Sequence, residues 1–394
     1  MKKILFVIDS LNSGGAEKSL VSLLTLFDYE KYEIDLLMFS PTGLYLPLLP
    51  QTINILDVPI FVKYQHTSMK QLIKNKRFKE LCIRIGKSIS LRIPSKRKNM
   101  HVAQINWEWL SKGIDTLNIK YDVAIAYSQG IPTYFIAEKV EAKKKICWIN
   151  TDYKLASYNK DFDSEYYEQY NNIIAVSDYN KEVFINEIPS VKEKTSVIYD
   201  IISPNLIKSM AIQREGFDDK FKGIRILTIG RLVEAKGYDM AIQACYKLKK
   251  KGYKIKWYVI GEGHLKKKLE SMVSEYGLEN NFIFLGTYQN PYTFIKQSDI
   301  YVQPSRYEGY GIAIAEARVL KKPIVATNFT MVHNQIKNRE NGIIVNMSSE
   351  AIYQGIKEII ENNDLKIILS ENCNEENIGT EEEIEKLYSI MKNM

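Results

Sequence analysis

Cysteine is scarce in this chain: four in 394 residues, Cys82, Cys147, Cys245 and Cys373, with no CxxC pair among them. That excludes a disulfide framework and offers no zinc-ligand spacing, and it fits a reducing compartment. Histidine is just as sparse, with His66, His101, His264 and His333 far apart, and no metal site is expected. Long apolar runs are missing too. The opening MKKILFVIDS has five apolar residues before Asp9, too few for a signal peptide, so it reads as a first strand. No window approaches the ~20 apolar residues of a spanning helix. A cytoplasmic protein is expected, or one lying on the cytosolic face of a membrane.

What the chain has in excess is charge of one sign in one place. Between residues 60 and 101 twelve Lys or Arg stand against one acid, Glu80, a local +11 in a chain of net +7. So local an excess points to a surface rather than to a nucleic-acid binder.

Short apolar runs, each ending in glycine or a polar turn and followed by a helical pattern, recur along the whole length. In the first half they are residues 4–9, 33–39, 122–128, 144–150, 172–177 and 196–201; in the second, 224–230, 255–261, 281–286, 299–305, 323–327 and 342–346. Runs without alternation suit parallel strands buried on both faces, with helices as crossovers, which makes the class α/β. Two series predict two doubly wound, Rossmann-like domains: residues 1–200, then a linker over 201–222, then 223–373. Residues 374–394 read as a final capped helix that packs back on the first domain. Ligands are expected at strand ends, in a cleft between the two sheets.

Each half opens with a strand, a glycine-bearing loop and a helix. In ILFVIDSLNSGGAEKSL, Gly14 and Gly15 precede a helix, where bare peptide N–H groups suit a phosphate. The loop is neither G-x-G-x-x-G nor a P-loop, and a plain capping turn reads as well. In ILTIGRLVEAKGYDMAI, Arg231 and Lys236 follow the strand, two cations able to neutralise a diphosphate. Further on, RYEGYGIAIAEARVL carries Glu308 and Glu316. At helical spacing Glu316 shares a face with Ile312, Val319 and Leu320, so it needs a partner, either a basic neighbour or a ligand hydroxyl.

Taken together, GRLVEAKG, VIGEGHLKKKLE, FLGTYQNPYTFIKQSDIYVQPS and PSRYEG with the two glutamates resemble the retaining GT-B glycosyltransferases of family 4, the group 1 transferases. The resemblance implies transfer of a sugar from a nucleotide-sugar, UDP-linked, with no cofactor and no metal. It implies that Glu316 meets the ribose hydroxyls and Glu308 those of the transferred sugar, near the N–H groups of Gly309, Tyr310 and Gly311. Arg231 and Lys236 would hold the diphosphate, aided by Gly14 and Gly15, with the loop Gly286 to Asn290 bordering the base. Glu308, Arg231 and Lys236 form the catalytic set so implied, and no side-chain nucleophile is required. In CWINTDY many relatives carry histidine where this chain has Asn150. Asparagine can only hydrogen-bond, so the acceptor-side role falls to Asn150 and Asp152, the latter equally readable as a cap.

The basic segment 68–98 puts Phe78, Leu81, Cys82, Ile85 and Ile89 on one helical face. It reads either as a helix packed on its own domain or as one lying on an anionic membrane. The membrane reading makes a glycan or lipid-linked acceptor, in capsule, exopolysaccharide or related envelope assembly, the expectation. Other classes remain open at this point: a sugar-nucleotide epimerase or a phosphorylase of the same architecture, or a non-catalytic partner subunit. A dinucleotide oxidoreductase is disfavoured by the missing glycine fingerprint.

Overall fold

The computed structural model describes residues 1–12, 14–63, 67–213, 216–373 and 378–392. The expected final helix therefore falls partly, and His66 wholly, outside the described residues. The chain divides into two compact units: Met1–Asn12, Ala16–Ile201 and Glu382–Met394 make the first, and Ser13–Gly15 with Ile202–Glu381 the second.

The first unit is built on a seven-stranded parallel sheet. Its strands are β1 (Lys2–Ile8), β2 (Tyr32–Met38), β3 (Asn54–Ile55), β4 (Leu117–Ala126), β5 (Val140–Ile149), β6 (Asn172–Ala175) and β7 (Thr195–Val197), in the order β3-β2-β1-β4-β5-β6-β7. Alternate residues of β1 feed two separate cores. Ile4, Phe6 and Ile8 pack on one face of the sheet and Leu5 and Val7 on the other. A strand buried on both sides has no polar face, which is why its run shows no alternation.

Two strands begin well before their apolar runs. Residues 117–121 of β4 pair only with β5, since β1 engages β4 from Val123 onward. That protruding ribbon is half exposed, so its sequence is mixed. The edge strand β3, two exposed residues, carried no pattern to read.

The helix Glu383–Lys392 belongs to the first unit, with Leu387 and Met391 fully buried. Tyr388 stacks on Tyr32 with ring centres 5.4 Å apart and meets Phe27 edge-on.

The second unit holds six parallel strands, β8 (Ile224–Ile229), β9 (Ile255–Ile260), β10 (Phe282–Gly286), β11 (Ile300–Gln303), β12 (Ile324–Thr327) and β13 (Ile343–Val345), ordered β10-β9-β8-β11-β12-β13. The fold class is the two-sheet α/β arrangement that the apolar runs imply. In each sheet the strand order reverses once, between β1 and β4 and between β8 and β11. Loops diverge at such points and leave a crevice at the carboxyl ends of the strands. The segment 201–222 holds a helix, Pro204–Met210.

The basic segment is not one helix. Met69–Lys74, Phe78–Ser90 and Pro94–Asn99 are separate. Lys76 takes a positive φ of 56° between the first two, and Pro94 starts the third.

Candidate functional site

The loops after β8 and β11 converge at the second unit's switch point. After β8 the chain passes Arg231 and makes a short turn, Glu234–Lys236, that ends at Gly237 with φ 64°. A side chain at Gly237 would strike the Pro304 carbonyl oxygen at 2.0 Å. Glycine is thus required for the turn to lie against the β11 loop. Arg306 then clamps the two loops together. It donates to both Asp239 oxygens (2.8 and 2.6 Å) and to the Glu234 carbonyl (3.0 Å), while its N–H donates to the Ala235 carbonyl at 2.7 Å.

Within this clamp Lys236 Nζ donates to both oxygens of Glu308, each at 2.6 Å. Gln303 Nε2 (2.7 Å) and Ser305 Oγ (2.6 Å) donate to Oε1 of the same carboxylate. Glu308 is 7% exposed. The family resemblance gave Lys236 a diphosphate and Glu308 a sugar, and did not show that each is the other's partner. Their separation of 72 positions hides the contact. Arg231 is exposed, and its guanidinium has no hydrogen bond or ion pair among the described residues. A surface cation beside a buried ion pair can accept a further anion without breaking any contact.

Glu316 lies on the helix Ile312–Val319 and is 2% exposed, pointing inward with the apolar stripe. Among the described residues Tyr292 Oη donates to its Oε1 at 3.1 Å. Gly311 caps that helix at φ 84°, and its carbonyl and that of Tyr310 accept from Gln335 Nε2. The helix has no acid in its first turn, whereas Gly15–Thr25, beginning at the glycines 14 and 15, carries Glu17 there. A carboxylate at a helix N-terminus competes with a bound anion, and only the helix Gly15–Thr25 of these two carries one.

Two residues expected at the site are committed to the fold through their side chains. Asn290 donates to the Met210 carbonyl and to Gln213 Oε1, both at 2.9 Å, and accepts from Tyr292 N–H at 3.2 Å. It ties the loop after Gly286 to the helix Pro204–Met210. Asp152 accepts from Leu155 N–H (2.9 Å) and Tyr179 Oη (3.0 Å) and is 3% exposed, so it closes a turn rather than capping a helix.

Asn150 differs. Neither end of its amide has a partner among the described residues. Its N–H and that of Thr151 donate to Gln129 Oε1, at 3.2 and 2.9 Å, with Thr151 Oγ1 at 2.7 Å. Gln129 Nε2 and Ser128 Oγ are likewise unpartnered. These three residues sit past the carboxyl ends of β4 and β5, and the sequence reading missed Gln129.

Among the described residues no three His, Cys, Asp or Glu side chains converge as metal ligands. The expectation of no metal site overlooked one Asp-x-Asp spacing, Asp161-Phe162-Asp163. Its Asp163 is fully buried and accepts from Tyr134, Tyr153 and Gln104, each at 2.6 Å. Burial pushes its carboxyl up to about 6.

Two Rossmann-like units in one chain are the architecture of the GT-B fold, and the second carries a carboxylate and two cations at its switch point. Comparison with known proteins agrees. Residues 211–377 match the family of glycosyl transferases group 1. An alpha-N-acetylgalactosaminyltransferase of Campylobacter jejuni, whose name gives a diphospho-undecaprenol-linked acceptor, is 24% identical over 93% of this chain and 92% of its own. An uncharacterized glycosyltransferase of Methanocaldococcus jannaschii is 29% identical over 47% of this chain; the alignment spans about half, 48%, of that protein. The crystal structure of Anabaena HepE with UDP-glucose superposes with a TM-score of 0.71 at 18% identity, covering 100% of both chains.

Proposed function

We propose that the protein transfers a sugar from a UDP-sugar to a glycan or lipid-linked acceptor, with retention of anomeric configuration and without a metal. The carrying observation is the Lys236–Glu308 pair with Arg231 exposed beside it, at the end of β8. Cations so placed stabilise charge on a departing diphosphate, where preorganised contacts are worth most. No side-chain nucleophile is required: the acceptor hydroxyl attacks the face the diphosphate leaves, and the departing phosphate takes its proton. Glu316 hydrogen-bonds the ribose and Glu308 the transferred sugar. The backbone of Gly309 to Gly311 lies alongside the diphosphate, with Gly14 and Gly15 assisting. Gly286 and Asn290 border the base through main chain, since the Asn290 side chain is engaged elsewhere. Asn150 meets the acceptor. The diphospho-undecaprenol in the Campylobacter relative's name, an alpha-transferase, supports a lipid-linked acceptor.

The reading extends to an anionic membrane on its cytosolic side. The helix Phe78–Ser90 is packed inside out. Glu80, Ile83 and Ser90 are turned inward, and a side chain at Gly86 would collide with Trp109, whose Nε1 donates to Ser90 Oγ at 2.9 Å. The apolar stripe is therefore outward: Phe78 is 58% exposed, Ile85 42% and Ile89 54%, with Met69 and Ile73 exposed on the preceding helix. An apolar stripe flanked by cations fits anionic lipid better than water or another protein of unspecified charge. No described helix is long and apolar enough to cross a membrane.

The test supplies candidate UDP-sugars with a polyprenyl diphosphate-linked glycan, and follows UDP release and the anomeric proton of the product by NMR. An alpha-linked product, formed in EDTA, is expected. An inverted linkage, an epimerised donor without acceptor, or activity that EDTA abolishes and manganese restores would each overturn the reading.

A further inference from the structure

A chain of buried polar groups runs behind Glu308. Tyr301 Oη lies 2.6 Å from Gln303 Oε1, and Gln303 Nε2 donates to Ser305 Oγ (2.8 Å) and Glu308 Oε1 (2.7 Å). Thr327 Oγ1 ties the main chain of the same loop by donating to the Gln303 carbonyl at 3.2 Å and to that of Ser305. Tyr301, Gln303, Ser305 and Thr327 are at most 1% exposed.

The hydrogen-bond directions in this chain are forced. An ionised carboxylate only accepts, so the Gln303 amide turns its nitrogen to Glu308, and its oxygen then needs a donor. Tyr301 supplies one. Burial, with Glu308 nearby, holds its phenol well above the usual range, so it keeps its proton.

The two oxygens of Glu308 are consequently unequal. Oε1 accepts from Gln303, Ser305 and Lys236, whereas Oε2 accepts from Lys236 alone among the described residues. We propose that Gln303, oriented by Tyr301, is a positioning residue that pins Glu308 through Oε1 and so presents Oε2 to the donor sugar. Lys236 turns part of its ammonium from the carboxylate to the arriving diphosphate. Glu308 keeps its place during that exchange because two neutral donors still hold the far oxygen. This rests on the proposed role of Glu308.

Steady-state kinetics of Gln303→Leu and Gln303→Glu, beside Glu308→Ala, test it, with UDP affinity by calorimetry as the check on folding. Gln303→Leu should lower kcat on the order of 100-fold, the effect of a reacting group displaced by about 1 Å, with UDP affinity unchanged. Gln303→Glu places a second carboxylate against Glu308, so the pair keeps a proton to higher pH. The acid limb of its kcat profile should move up by about a unit or more, which loss of packing alone would not do. If Glu308→Ala is inactive while both Gln303 variants keep the parent's kcat and pH profile, the positioning role falls and the site reading stands. If Glu308→Ala turns over normally, the site reading falls first.

Discussion

The two sheets end in loops of opposite character. Beyond β8 and β11 the two carboxylates are held: Glu308 has three donor residues and Glu316 has Tyr292. Beyond β4 and β5, Asn150, Gln129 Nε2 and Ser128 Oγ have no partners among the described residues. A saturated site is preorganised, so a ligand meets groups already in place. Unpaired buried polar atoms cost roughly 1–3 kcal/mol each, and a partner supplied from outside recovers that. Same topology, different saturation: the carboxylates past β8 and β11 are bonded and the amides past β4 and β5 are not, which on the proposed function suits a donor and an acceptor respectively.

The largest effects should come from the saturated side. Lys236→Ala leaves Glu308 without its counter-ion and, on the proposed function, removes a diphosphate contact, so turnover should drop at least ~100-fold. Arg231→Ala, exposed and unpaired, should cost comparable turnover but no thermal stability, measurable by calorimetric unfolding. Equal stability loss in both variants would erase the distinction between a paired and a free cation.

Away from the site, the first unit holds its own saturated carboxylate. Burial raises Asp163 to about 6 in the folded protein, against ~3.9 in the unfolded chain. Below pH ~4 both states bind the proton and stability is fully present. As pH rises through about 6 the folded state must ionise a buried group, losing up to ~3 kcal/mol. Asp163→Asn should flatten unfolding free energy between pH 4 and 6; an unchanged slope would assign that dependence elsewhere.

Next is the outward stripe. Phe78→Glu with Ile85→Glu and Ile89→Glu should abolish co-sedimentation with anionic vesicles, even at low salt. Reversing Lys74, Lys76, Arg77 and Lys79 should weaken it most at low salt, where the Debye length is ~10 Å or more. If the unmodified protein stays in the supernatant, the stripe serves another partner and a soluble acceptor follows.

The smallest change is on the incomplete side. Asn150→Ala should raise the acceptor KM up to ~10-fold, one neutral hydrogen bond, with donor hydrolysis unchanged. Loss of donor hydrolysis instead would move Asn150 to the donor.

Most of the fold was legible because strands buried on both faces must be apolar throughout, and the twelve runs did become strands. The ribbon 117–121 and β3 were not, since half-exposed pairing leaves a mixed sequence. At the site, residue types and spacing on β11 and its helix carried Glu308 and Glu316, as helical periodicity turned Glu316 inward. What the chain alone determined was local: strands, helix faces, and which charges stand at strand ends. Tertiary structure alone decided who meets whom. Lys236 meets Glu308 across 72 positions, Gln303 and Ser305 join it on Oε1, the Asn290 and Asp152 side chains bond within the fold, and the helix Phe78–Ser90 shows its apolar side to the outside. Periodicity says only that a helix has two faces; which one is covered depends on the neighbour, here Trp109, that fits against Gly86.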